Sequence, residues 1–387
     1  MRFPVFLCSI ILLALAGIYF HWDRSDQPQN AAVAPVMPQN NAAAQTLPQF
    51  PKVMVKSELL ERQRVPNYVV VLLIQSDFPQ LEALAEHYRT TKERTPSGLW
   101  YLSLFHAGVN RYLQTVRSKP QNLPSGKRWE GSADEMHAKI INEWQAAFPN
   151  SPNPYLAHAK RLREQAWRIR GPSYADKVPQ EAWRPFHEKL EAARDYLIKH
   201  REIAGRDPEW YRLRIDTATE LGEPTELVMD TVTQAIDTEP YYYQTYFAAV
   251  RHFLPKWGGK SEYINALTNM AVENTTEEDG MSLYARIYWY VSQQSKVGPL
   301  IFHDPDVSWV KMTAGMDEVL SSYPDNWNIN NFLYFSCVAG DRNQAKKLLE
   351  MMRGEPIMSV WQETVLFNAC KDFARGVDQE TKPGSPS

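Results

Sequence analysis

Ala166-Trp167-Arg168-Ile169-Arg170-Gly171 is followed by Trp183-Arg184-Pro185-Phe186, which sets three arginines beside two indoles across a short loop. Planar guanidinium forks hold a carboxylate or phosphate through paired hydrogen bonds and also stack on rings, so Trp167, Arg168 and Arg170 are candidates for an anion cradle. The competing and plainer account buries the indoles in a core and pairs the arginines with Glu164, Asp176 and Glu181. Two further phrases have the same double meaning. Phe253-Leu254-Pro255-Lys256-Trp257-Gly258-Gly259 ends a helix with proline and paired glycines, and Tyr284-Ala285-Arg286-Ile287-Tyr288-Trp289 groups three rings at helical contact spacing around Arg286. Concave faces of helical arrays recruit such residues because a few rigid rings carry much of the binding energy, while ordinary core packing also accounts for Trp257, Arg286 and Trp289.

Groups suited to bond-breaking chemistry are scarcer. The nine histidines and three cysteines fall into no ligand spacing, so no metal and no cofactor is expected. His187-Glu188 lacks the second histidine of a zinc-protease helix, because Glu191 stands in its place. No G-x-S-x-G elbow, phosphate-binding glycine loop or dinucleotide fingerprint is present, which lowers the case for an enzyme. Catalytic carboxylates drawn from separate helices leave no local trace, so an envelope-acting hydrolase stays open as an alternative, with Glu164 and Asp176 nearest the arginine cluster. Cys337 and Cys370 lie on consecutive helices near the end of the chain; a disulfide between them would pin the last helix, and both also suit a core as free thiols. Cys8 sits inside an apolar run and reads as a buried membrane thiol.

The elements that carry these residues are helices, and they repeat. Asp207-Pro208-Glu209-Trp210, Glu239-Pro240-Tyr241-Tyr242 and Tyr323-Pro324-Asp325-Asn326-Trp327 each open a phrase of proline, aromatic, apolar helix, polar turn and second helix. Pro208 to Pro240 is 32 residues, close to the ~34 of a tetratricopeptide unit, whereas Pro240 to Pro324 is 84 and requires two units with an insertion at 295–305. The expected fold is therefore all-α, an irregular tetratricopeptide-like α-solenoid of helix pairs. Second helices are marked by the stripes Val228, Val232, Ala235, Ile236; Ile264, Leu267, Ala271; and Trp309, Met312, Met316, Val319, Leu320. Ser132 followed by Glu135 is a capping box, and Gly340-Asp341 ends one helix and caps the next. Tyr68 to Ile74 (YVVVLLI) is β-branched enough for a short strand, but its helical neighbours favour a buried helix.

Ahead of this body, Phe3 to Phe20 is an 18-residue run without a charge, flanked by Arg2 and by His21-Trp22-Asp23-Arg24. At about 1.5 Å per residue it spans roughly 27 Å, enough for a signal anchor at 1–22, with a cleaved signal peptide as the alternative. Residues 23–52 hold five prolines among Gln, Asn and Ala and read as a disordered tether; 53–375 is the helical-repeat domain and 376–387 a flexible tail. With positive charge at the inner end, the body is expected to face the periplasm or cell exterior. The 42 basic and 45 acidic residues give a net charge of −3, no field for gathering polyanions, so nucleic acid is not an expected partner. The 44% hydrophobic and 12% aromatic content exceeds what a disordered chain carries, so the body folds.

Five phrases, A-W-R-x-R-G at Ala166 to Gly171, Tyr174-Ala175, D-P-x-W-Y at Asp207 to Tyr211, L-P-K-W-G-G at Leu254 to Gly259 and Y-A-R-I-Y-W at Tyr284 to Trp289, resemble a bacterial family designated domain of unknown function four-zero-three-four. The resemblance runs from about Phe78 to Tyr290. It implies a mostly helical bacterial protein, often associated with export, and supplies no catalytic residues. The leading expectation is a membrane-tethered periplasmic protein that binds another protein or an envelope polymer through Trp167, Arg168, Arg170, Trp257, Arg286 and Trp289. An inhibitor or immunity protein against a periplasmic toxin is the third expectation.

Overall fold

The computed structural model describes residues 57–115, 131–294 and 298–377. Among them are fifteen helices of seven residues or more and no strand. The apolar run at 3–20, the linker at 23–52, most of the loop at 119–131 and the tail beyond 377 lie outside the described residues. Among the described residues no helix is long and apolar enough to cross a membrane.

The helices are α1 (Glu58–Gln75), α2 (Phe78–Thr91), α3 (Tyr101–Thr115), α4 (Ala133–Ala147) and α5 (Pro152–Arg170). They continue with α6 (Gln180–Lys199), α7 (Glu209–Leu221), α8 (Thr225–Thr238), α9 (Gln244–Phe253) and α10 (Ser261–Asp279). α11 (Ser282–Gln294), α12 (Trp309–Ser322), α13 (Asn326–Ala339), α14 (Arg342–Met351) and α15 (Thr364–Arg375) complete the order. Their ends follow local chemistry. The Ser132–Glu135 capping box starts α4, and Asp77 with Pro79 starts α2. Gly340 takes the left-handed conformation that closes α13 while the Asp341 carboxylate accepts the Gln344 amide to start α14. Tyr68 to Ile74 is helical, as its neighbours require. A β-carbon added to Gly108 on α3 would fall 2.5 Å from Val69 Cβ and 3.0 Å from Pro66 Cα, so α1 and α3 pack at backbone contact.

Two kinds of helix alternate through the second half. α7, α9, α11 and α13 are buried around most of their circumference, whereas α8, α10 and α12 bury one stripe each. Val228, Val232 and Ala235, then Ile264, Leu267 and Ala271, then Met312, Met316 and Val319 are the buried residues of those stripes, at the positions their spacing predicts. Each of the Val, Ile, Leu and Met side chains contributes roughly 1.5–3 kcal/mol by leaving water, and it is this stripe that holds the helix against its pair.

One contact departs from an ideal solenoid, in which each unit touches only its neighbours. The start of α1 and the loop before α3 return to α11 and α13. The Glu58 amide donates to Asp325 Oδ2 at 3.3 Å, and Arg62 lies over the Trp327 ring at 5.0 Å. The Ser97 amide donates to Glu58 Oε2 at 3.0 Å, while its carbonyl accepts from Arg286 at 2.7 Å and from Asn328 Nδ2 at 3.2 Å. Gly98, at φ +93°, permits the loop to lie this close, since a β-carbon there would meet the Arg286 guanidinium at 2.4 Å.

Cys337 on α13 and Cys370 on α15 are disulfide-bonded, with Cα atoms 5.6 Å apart and a sequence separation of 33. Closing a loop of that length removes entropy from the unfolded chain worth roughly 3–4 kcal/mol. Reduction is therefore expected to lower the unfolding free energy by roughly 3–4 kcal/mol, read by urea unfolding with and without dithiothreitol. Hydrogen exchange should rise first in α15, which the bond pins to α13.

Candidate functional site

Among the described residues a network of ion pairs runs from α2 and α3 through α5 and α7 to α9. It starts at Asp207, fully buried just ahead of α7. Its Oδ2 accepts from Arg89 Nε at 3.1 Å and from the Arg89 terminal nitrogen at 2.8 Å. Its Oδ1 meets His106 Nε2 at 3.1 Å and accepts the Glu209 amide at 2.9 Å, which caps the first turn of α7. Burial alone would raise the Asp207 carboxyl, but His106 and Arg89 outweigh it and hold it far below the usual carboxylate range.

Along α7, Glu209, Arg212, Asp216 and Glu220 share one face at spacings of three and four residues. Glu209 accepts from Arg212 at 2.8 Å, pairs with Lys160 Nζ at 2.7 Å and accepts the Tyr242 hydroxyl at 2.8 Å. Burial, only partly offset by Glu209, brings the Lys160 ammonium down to about 8. Asp216 pairs with Arg212 at 2.6 Å and Arg251 at 2.9 Å, and lies 3.5 Å from Arg163. Glu220 accepts two bonds from Arg163, at 2.7 and 2.6 Å, and one from the Trp167 indole at 2.9 Å. Burial raises the Asp216 carboxyl, yet Arg251, Arg163 and Arg212 together hold it below its ordinary value. A general acid needs the opposite shift, so this carboxylate is set for pairing and not for proton donation.

The network reaches the surface as a narrow seam. Within Glu209 to Glu220 only Arg212 is other than buried; on α9 the half-buried positions Gln244, Phe247 and Arg251 recur at helical spacing, and α11 adds Tyr290. Phe247 and Tyr290 stack at 5.1 Å with planes 19° apart, and Arg251 lies over the Trp257 ring at 5.4 Å. The arginine side chains at the seam are 15, 18 and 16% exposed (Arg163, Arg212, Arg251), against 5% for Asp216 and 0% for Glu220. The carboxylates thus hold the guanidiniums from beneath, and the charge presented outward is positive.

The six binding residues named from sequence do not form one face. Trp167 and Trp257 border the seam. Arg168 pairs at 3.2 Å with Asp134 on α4, a carboxylate that the sequence reading did not name, and its Nε donates to the Glu164 carbonyl at 3.4 Å. Arg170 is held between the Trp167 and Trp183 rings, at 5.1 and 5.5 Å, and donates to the Gly171 and Ser173 carbonyls, so it fixes the end of α5. Arg286 and Trp289 are corrected from surface to interior. Arg286 is 4% exposed and committed to Ser97, and Trp289 packs edge-on against Phe332 and Phe335 at 5.5 and 6.0 Å. Apolar neighbours on two adjoining inner helices turn both toward the core.

Sequence reasoning missed Arg163, Arg212, Asp216, Glu220 and Arg251. The available signal was the charged stripe 209, 212, 216, 220 on a helix whose next phrase opens with Tyr241-Tyr242-Tyr243, but a charged stripe reads as a solvated face until burial is known. Among the described residues no group of three or more His, Cys, Asp or Glu is arranged to hold a metal ion. No family model, curated protein or solved structure matches this chain, and the family resemblance rests on the five phrases alone.

Proposed function

We propose that this chain is a tetratricopeptide-like helical-repeat binding protein, tethered to the inner membrane by residues 3–20 and facing the periplasm, whose partner is another protein or an envelope polymer. The observation that carries the reading is the seam: on inner helices buried almost all round, the positions that reach the surface there are Arg212, Gln244, Phe247, Arg251 and Tyr290, four of the five being arginines or aromatic rings, side chains that dominate recognition surfaces. The Cys337–Cys370 bond supports an oxidising compartment.

The test is a photo-reactive phenylalanine analogue placed at Phe247 or Tyr290 in the full-length protein, with the same analogue at Ile198 on α6, which is 52% exposed, as the control. Irradiation of intact cells is expected to yield a discrete adduct from the two seam positions and none from 198. Identical adducts from all three positions, or adducts from 198 alone, would defeat the reading.

A further inference from the structure

The seam carries more positive charge than its own carboxylates neutralise. At that end of the network Lys160, Arg163, Arg212 and Arg251 face Glu209, Asp216 and Glu220, four cations against three anions. The balancing carboxylate, Glu86 on Arg89, lies at the opposite end and is 62% exposed. Lys160 is buried against Glu209, so what the seam offers outward is the set of unsatisfied donors at Arg251. Among the described residues its hydrogen bonds to Asp216 and Glu220 run through one terminal nitrogen, while its Nε meets no acceptor. The indole beneath it, Trp257, likewise has a buried N–H without an acceptor. Donors left without acceptors are costly, and a group that only accepts, and carries one negative charge, satisfies both conditions.

We propose that the seam at Arg251 and Trp257 binds a carboxylate of a peptide, with the adjoining Phe247–Tyr290 stack taking the apolar side chain next to that carboxylate. This rests on the reading of the seam as the binding face and names the chemistry it selects. The stacked rings offer a flat apolar wall beside Arg251, which a peptide carboxylate with an apolar neighbour fills and inorganic phosphate leaves empty. Arg163 and Arg212 act as positioning residues, because their bonds to Glu220, Asp216 and Glu209 keep the carboxylates beneath Arg251 in place.

The probe is N-acetyl-phenylalanine, titrated into the full-length protein in detergent at constant ionic strength, with N-acetyl-phenylalaninamide and inorganic phosphate as comparisons. Tryptophan fluorescence and melting temperature are the readouts. The acid is expected to bind saturably and at least about tenfold more tightly than the amide, the effect of one charge-assisted hydrogen-bonded contact, and more tightly than phosphate. R251K keeps a cation beside Asp216 and Glu220 and should retain the melting temperature while reducing the acid-to-amide ratio; F247A should weaken acid and amide alike and leave the ratio unchanged. Equal binding of acid and amide, no saturable response to either, tighter binding of phosphate, or an unchanged ratio in R251K would overturn the inference. Seam crosslinking that persists alongside any of those results would leave the binding face standing and remove only its carboxylate chemistry.

Discussion

Asp207→Ala is expected to lower the unfolding free energy by about 4 kcal/mol, measured by urea unfolding followed in far-ultraviolet circular dichroism. The carboxylate is fully buried and answers three donors at once, Arg89, His106 and the Glu209 amide. Its removal strands the Arg89 guanidinium, whose remaining carboxylate is the exposed Glu86, and it uncaps α7, the helix that carries half of the network. D207N keeps the shape and one acceptor, so its cost should be smaller. The pair should also be non-additive: once Arg89 is replaced by alanine, the further loss on removing Asp207 shrinks, because the stranded charge has gone. A D207A protein within about 0.5 kcal/mol of the parent would show that the network does not form as described.

Mild acid should destabilise the molecule almost as much, and through different residues. His137 is fully buried, packs edge-on to Tyr112 at 4.8 Å, and among the described residues has no partner on either ring nitrogen. Burial, and then the nearby Arg168 and Arg161, push its imidazole down to about 4. His158 stacks on Tyr196 at 4.2 Å and is pushed down to about 4 by burial, with Arg161 and His200 adding to it. Both rings are held neutral in the fold and take up a proton near 6.5 when unfolded, so the unfolded chain binds more protons below that pH. Stability is then complete above about 6.5, falls as the pH drops, and stops falling for this reason below about 4. Between pH 7 and pH 5 the two together should cost about 3 kcal/mol, and H137F, which retains the ring contact with Tyr112, should remove about half of that dependence. The Asp207 and Glu209 carboxylates are lowered in the fold, so the stability they contribute starts to fall only near the ordinary carboxylate value of about 4, below that window. An unfolding free energy that is flat from pH 7 to pH 5 would contradict the burial of both histidines.

Much of the fold was legible because its signals are local. Ser132 with Glu135, Gly340 with Asp341, and the Val228–Ile236 stripe each depend on residues within about three turns of one another, and each stands where its pattern predicts. The Tyr68–Ile74 segment was ambiguous for the converse reason. Its β-branched run fits a strand by composition, yet it is helical, and the packing that accommodates it comes from about forty residues on, where Gly108 lets α3 press against Val69 and Pro66. The return of Ser97 to Arg286 and Asn328 had no local signal at all, since it joins residues 189 and 231 positions apart.

The candidate site was the least legible part. Arg286 and Trp289 stood out as rare residue types in an apolar phrase, yet such a phrase on an inner helix is buried around most of its circumference. Arg212 and Arg251 looked unremarkable as single charges, and their role depends on Asp216 and Glu220 lying beneath them on the same buried helix face. Charge patterning along a helix gives a period, but whether the charged face meets water or a neighbouring helix is decided by packing across the array.

The most direct test of the seam as the binding face is hydrogen–deuterium exchange on the full-length protein, free and then bound to the partner captured by crosslinking. Slower exchange in the segments 244–257 and 282–294, with the segments of α6, α8 and α10 unchanged, is the predicted result. Protection confined to those outer helices would contradict it.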